Sequence, residues 1–146
     1  MTAETILLVE DNEDDELLAI RALKKAATPS KVVVARDGEE ALDYVYAQGK
    51  FAERNKLELP RVILLDINLP KLSGLQVLES IRSHATTRLI PIVLLTSSDE
   101  EQDMLAGYSL GANSYIRKPV DFDEFIEEIG LLGRYWLGMN RTPNER

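Results

Sequence analysis

The chain has 146 residues, 45% of them hydrophobic and 29% charged, which fits one soluble domain with a substantial core. A formal net charge of −8, without clustered Lys and Arg, excludes a surface that tracks a phosphate backbone, so no nucleic-acid partner is expected. Cysteine is absent, which excludes disulfides, thiolate metal sites and cysteine nucleophiles.

In chain order, the first apolar run is Thr5–Val9 (TILLV), followed by the acids Glu10, Asp11, Glu13, Asp14 and Asp15 at the start of a helical stretch. The run is too short, and too acidic at its end, for a signal peptide. No segment approaches the roughly 20 apolar residues of a membrane span, so a cytoplasmic domain without membrane contact is expected. A second run, Lys31–Ala35 (KVVVA), leads into another helix. Residues 48–60 (QGKFAERNKLELP) then form a mixed-charge connection longer than the usual ~4–6 residues. Further runs are Arg61–Leu65, Pro91–Leu95 and the more polar Asn113–Ile116, which suits a sheet edge. The first four lack polar alternation and read as strands buried on both faces. Ser73 with Gln76, and Ser98 with Glu101, have the spacing of capping boxes at helix starts, and Asp121 with Glu124 repeats it. Five β-α units predict a parallel sheet covered by helices on both faces. One domain is expected over residues 1–140, then a polar tail, 141–146, with no output domain.

Ligands of open parallel sheets bind beyond the carboxyl ends of the strands. The first run ends on Glu10-Asp11, the third on Asp66 and the fourth on Thr96, and the fifth leads to Lys118. Singly, each residue has an ordinary explanation. Acids favour the positive end of a helix, Asp forms turns, Thr caps and Lys is a solvated charge. For Glu13 to Asp15 the helix-start explanation is as good as a functional one. Jointly, three carboxylates, a hydroxyl and an ammonium at one edge suit a hard cation such as Mg²⁺ and an incoming phosphoryl group. Asp66, the innermost carboxylate, is the natural nucleophile.

LLVEDN (7–12), LLDINLPKLSG (64–74), PIVLLTSS (91–98) and ANSYIRKP (112–119) resemble the receiver domains of two-component response regulators, in order and spacing, across nearly the whole chain. The resemblance implies a flavodoxin-like (βα)5 α/β fold with strand order 2-1-3-4-5. It implies phosphoryl transfer from a sensor histidine kinase onto Asp66, with Mg²⁺ or Mn²⁺ held by Glu10, Asp11, Asp66 and the backbone carbonyl of Asn68. Lys118 matches the phosphate-binding lysine, Thr96 and Tyr115 the switch pair, and Lys118-Pro119 a cis peptide. The long 48–60 connection, LLDINLP and the aromatic ending GRYWLG are similar to small regulators of phytochrome-type histidine kinases. Such a protein is a phospho-acceptor that promotes only its own phosphorylation and dephosphorylation.

Rival readings fit less well. A haloacid-dehalogenase-type phosphatase needs a second Asp two residues after its nucleophile, where Asn68 stands. A flavin or nucleotide module needs a Gly-, Ser- or Thr-rich first loop, whereas Glu10 to Asp14 would repel phosphate. A receiver-like module that is never phosphorylated has no need of Asp11, Asp66, Thr96 and Lys118 together. The single histidine, His84, reads as a surface or capping residue. In the last helix Phe125, Ile129, Leu132 and Trp136 follow the core period, leaving Ile126, Leu131 and Tyr135 on other faces. A homodimer through the fourth helix, fifth strand and last helix is expected there.

Overall fold

The computed structural model describes residues 4–26, 30–98 and 100–143. Its strands are β1 (Glu4–Val9), β2 (Ser30–Ala35), β3 (Val62–Leu65), β4 (Ile92–Thr96) and β5 (Ser114–Arg117). Its helices are α1 (Glu13–Ala26), α2 (Gly38–Tyr46), α3 (Gly74–Arg82), α4 (Glu101–Ser109) and α5 (Phe122–Arg134). All strand pairs are parallel, in the order β2-β1-β3-β4-β5, as expected.

Alternation along the strands divides the core in two. Leu7, Val9, Ile63, Leu65, Ile92 and Leu94 meet Ala41, Tyr44 and Val45 of α2 and Val77, Leu78 and Ile81 of α3. Ile6, Leu8, Val62, Leu64, Val93 and Leu95 meet Ala19, Ala22 and Leu23 of α1 and Phe125, Ile129 and Trp136 of the C-terminal helix. The apolar runs of β1, β3 and β4 are buried on both faces, as their composition predicts. β2 differs: it is an edge strand, and Val32 to Val34 are only half-buried. A run of three valines looks the same at an edge as in the centre, because neighbouring strands set its exposure.

Local signals settle several helix starts. Ser73 and Gln76 form the full capping box of α3, each side chain accepting from the other's backbone N–H. Asp121 caps α5 by accepting from the Glu124 amide. The box expected at Ser98 does not form. α4 starts at Glu101, its N-cap Glu100 makes no side-chain cap, and the Ser98 hydroxyl donates instead to Asp103 at 2.6 Å. Asp99, inside that motif, and residues 144–146 of the expected tail lie outside the described residues. The Lys118–Pro119 bond is trans, not cis as expected, since the described residues contain no cis peptide. The trans form is the more stable isomer by about 0.5–1 kcal/mol, and the segment from β5 to the Asp121 cap is accommodated with it.

The 48–60 connection is an ordered structure rather than a loose insertion. A 3-10 turn, Gly49–Phe51, follows α2, and the Phe51 ring meets Tyr44 edge-on at 5.0 Å. Arg54 crosses back beneath it. Its guanidinium donates to the carbonyls of Tyr44 (2.8 Å) and Val45 (3.0 Å) at the end of α2, and to those of Asn55 and Glu58 within the connection. It also lies 4.4 Å from the Tyr44 ring centre. One side chain thus adds donors to the carbonyls at a helix end, where the Ala47 amide also reaches Tyr44 O. Arg54→Ala is expected to lower stability by about 1–3 kcal/mol in chemical denaturation. Limited proteolysis of that variant should cut first within 48–60; cleavage there at the wild-type rate would contradict this account.

Candidate functional site

Strand register brings the site together. Val9 pairs with Leu65, so the next residues, Glu10 and Asp66, leave the sheet side by side, each anchored through its amide, to Ala35 O and Val9 O. Thr96 pairs with Arg117, and the Lys118 amide donates to Thr96 O at 2.7 Å, which starts the Lys118 side chain from the same edge. Gly74 keeps the loop after β3 tight. Its amide donates to Ile67 O, and a Cβ at this position would lie 2.1 Å from Asp66 O, a contact no other residue tolerates.

The Lys118 side chain is 8% exposed, and its ammonium donates to three carboxylates. These are Glu10 Oε1 at 2.6 Å, Asp15 Oδ2 at 2.9 Å and Asp66 Oδ2 at 2.9 Å. Both Asp66 oxygens are engaged, since Oδ1 accepts from the Asn68 amide. Glu10 is buried, and its second oxygen accepts from the Asn12 amide at 3.1 Å. Burial lowers the affinity of Lys118 for its proton, but Glu10, Asp15 and Asp66 outweigh it and hold the ammonium above its ordinary range. Burial pushes Glu10 up to about 7, against the opposing pull of Lys118 and with the Asp66 charge adding to the rise.

Carboxylate oxygens of Glu10, Asp11 and Asp66 lie within 4.8 Å of one another. Glu10 and Asp66 are buried, whereas Asp11 is exposed and opens the cluster to water. An all-oxygen donor set, partly open and with more negative charge than one ammonium balances, fits a hard divalent cation that keeps some of its waters.

Among the sequence candidates, Glu10, Asp66 and Lys118 meet directly, and Asp11 joins the oxygen cluster. Asn68 is exposed and touches Asp66 through its amide. Thr96 and Tyr115 connect through a third residue, Ser98. The Ser98 amide donates to Thr96 Oγ1 at 3.2 Å, and the Tyr115 hydroxyl donates to Ser98 O at 2.9 Å. Asp15 is the partner that sequence reading did not single out, because its place in the first turn of α1 explains an acid on helix grounds alone. His84 is exposed, and its Nδ1 lies 2.8 Å from Ser80 O and 3.1 Å from the Tyr46 hydroxyl, a structural tie between α2 and α3. Leu131 and Tyr135 are exposed, at 52% and 45%. Ile126, grouped with them from sequence, is instead half-buried against the α1-side core, because it lies one residue from the buried Phe125 at the margin of the apolar stripe.

Residues 6–130 match the family model of the response regulator receiver domain. The chain belongs to the response regulator receiver family. Accepting a phosphoryl group from a histidine kinase is the role of that family. The chain is 39% identical over 138 residues to the probable methanogenesis regulatory protein FilR2 of Methanothrix harundinacea, covering 94% of this chain and 86% of the relative. The crystal structure of the phosphorylated cyanobacterial phytochrome response regulator RcpA superposes with a TM-score of 0.91 at 36% identity, over 98% of this chain and all of the other. The Mn²⁺-bound form of Rcp1, a response regulator of Synechocystis, gives a TM-score of 0.89 at 33% identity, over 96% and 99% of the two chains. No described helix is long and apolar enough to cross a membrane.

A raised Glu10 has a consequence for stability. Its folded-state value, about 7, lies above the ordinary 4.5, so the metal-free fold binds more protons than the unfolded chain between these values. The contribution of Glu10 is therefore full below 4.5 and is lost as pH rises through about 7. Metal-free wild type should lose on the order of 1–3 kcal/mol in denaturant titrations across this window, and Glu10→Gln should lose less. Equal slopes for the two proteins would contradict the assignment.

Proposed function

We propose that this chain takes a phosphoryl group from a phytochrome-type sensor histidine kinase onto Asp66, in a Mg²⁺-dependent phosphorelay in the cytoplasm. The observation that carries the reading is Lys118 Nζ, 2.9 Å from Asp66 Oδ2 and shared with the buried Glu10, in a chain of the receiver family. The similarity to the cyanobacterial phytochrome response regulator RcpA supports the phytochrome class of kinase.

In this mechanism a carboxylate oxygen of Asp66 attacks the phosphorus of the kinase phosphohistidine. The O–P bond forms as the P–N bond breaks, and the imidazole leaves with the electron pair and takes a proton. Glu10, Asp11, Asp66 and the Asn68 carbonyl would hold Mg²⁺, whose charge would offset the approach of an anionic phosphoryl group to a carboxylate. Lys118 and the Thr96 hydroxyl take phosphoryl oxygens. Thr96 shares its hydroxyl with the Ser98 amide, and Tyr115 holds the Ser98 carbonyl, so a shift of Thr96 is passed to Tyr115 through the loop between β4 and α4. The protein acts as a signalling phospho-acceptor and turns over no separate substrate. Output runs through the α4-β5-α5 face as a homodimer, supported by the exposed Leu131 on α5, Tyr135 in the turn that follows it, and Leu105 and Tyr108 on α4.

With Mg²⁺ and acetyl phosphate, or with an autophosphorylated phytochrome-type kinase, intact mass should show the gain of one phosphoryl group. Asp66→Asn should abolish it, and a gain that persists in that variant removes Asp66 as the acceptor. Sedimentation of the same samples should show a dimer that Leu131→Glu with Tyr135→Glu weakens. Monomer alone at high concentration, phosphorylated or not, removes the dimer.

A further inference from the structure

Lys118 has three N–H donors, and all three are taken by carboxylates. Two of those carboxylates, Glu10 and Asp66, also belong to the oxygen cluster that suits a cation. Asp15 does not. If Asp66 accepts a phosphoryl group, its own bond to Lys118 must give way to a phosphoryl oxygen, and a bound cation competes for Glu10. Asp15 is then the one acceptor whose hold on Lys118 neither event disturbs.

The local structure shows Asp15 set apart for this contact. It stands three residues after Asn12, whose side chain accepts from the Asp15 amide at 3.0 Å. An acid at this position of a helix start commonly reaches back to the cap residue's own amide. Here that amide, Asn12 N, is taken by Glu10 Oε2, and the Asp15 carboxylate turns across to Lys118. The next residue, Glu16, is buried and accepts from both Nε and Nη2 of Arg36, a second tie on the first turn of α1. The Asp15 side chain is 28% exposed, whereas those of Glu10 and Asp66 are enclosed.

We infer that Asp15 is a positioning residue that holds the Lys118 ammonium over Asp66 while Glu10 and Asp66 exchange partners during phosphorylation. It acts through Lys118 and touches neither the cation nor the transferred group. The inference rests on the proposed phosphorylation of Asp66.

The test is a double-mutant cycle on the initial rate of mass gain with acetyl phosphate and excess Mg²⁺, using Asp15→Ala, the isosteric Asp15→Asn and Lys118→Met. Loss of an outer partner of this kind commonly costs 10–100-fold, so Asp15→Ala should slow phosphorylation by roughly 10-fold, with Asp15→Asn between it and wild type. In the Lys118→Met background, Asp15→Ala should have no further effect. A wild-type rate in Asp15→Ala, or the same loss with and without Lys118, overturns the inference. A second readout needs neither cation nor phosphodonor: in the metal-free protein, the Lys118 ammonium resonance should lose its protection from exchange in Asp15→Ala, and unchanged protection overturns the inference. A wild-type protein that gains no phosphoryl group at all would fail the underlying reading, and the ammonium resonance would still judge Asp15.

Discussion

One buried ammonium organises the business end of this fold. Lys118 leaves the last strand and is met by carboxylates from the end of β1, the first turn of α1 and the end of β3. Removing two or more charges from water is costly unless they are paired and hydrogen-bonded, so these groups depend on one another for their burial. The pairing is lopsided, with three acids on one cation, and the raised Glu10 reflects that imbalance together with its burial. A site built this way favours further positive charge and resists an anion until that charge arrives.

From the same edge, a second chain of contacts leads away from the chemistry. Ser98 touches Thr96 through its amide, Tyr115 through its carbonyl and Asp103 of α4 through its hydroxyl. Ser98 therefore links Thr96 to both β5 and α4. α4 buries only Gly107 among its residues, so little core packing opposes its displacement. The apolar side chains it exposes are Met104, Leu105 and Tyr108.

The sequence was most legible where burial and chemistry coincide. Apolar runs that end abruptly in Glu10, Asp66 and Thr96 mark both the sheet centre and the site edge, because a charge at the end of a buried strand needs a partner. Ser73 was legible as a cap because its box is a local structure that few tertiary contacts can displace. Ser98 has the same spacing, but its hydroxyl found Asp103, a competition that spacing alone does not reveal. Asp15 was hidden by its helix-start position, which accounts for an acid without any need of Lys118. Arg54 was hidden for the opposite reason: an arginine in a polar connection looks solvated, and only the folded chain brings four carbonyls to it. The final turn, Tyr135–Met139, winds as a π-helix that buries Trp136, and an apolar period of 3.6 residues does not announce that change of pitch.

The central claim is that Asp66, of the three carboxylates held by Lys118, is the one that carries the phosphoryl group. Borohydride reduces an acyl phosphate to an alcohol, converting a phosphorylated Asp to homoserine at the residue that carried it. After reaction with the phosphodonor and Mg²⁺, peptide mass spectrometry should find homoserine at position 66 alone. Homoserine at 11 or 15, or reduction at Glu10, would contradict the account, as would a phosphorylated protein that borohydride leaves unchanged.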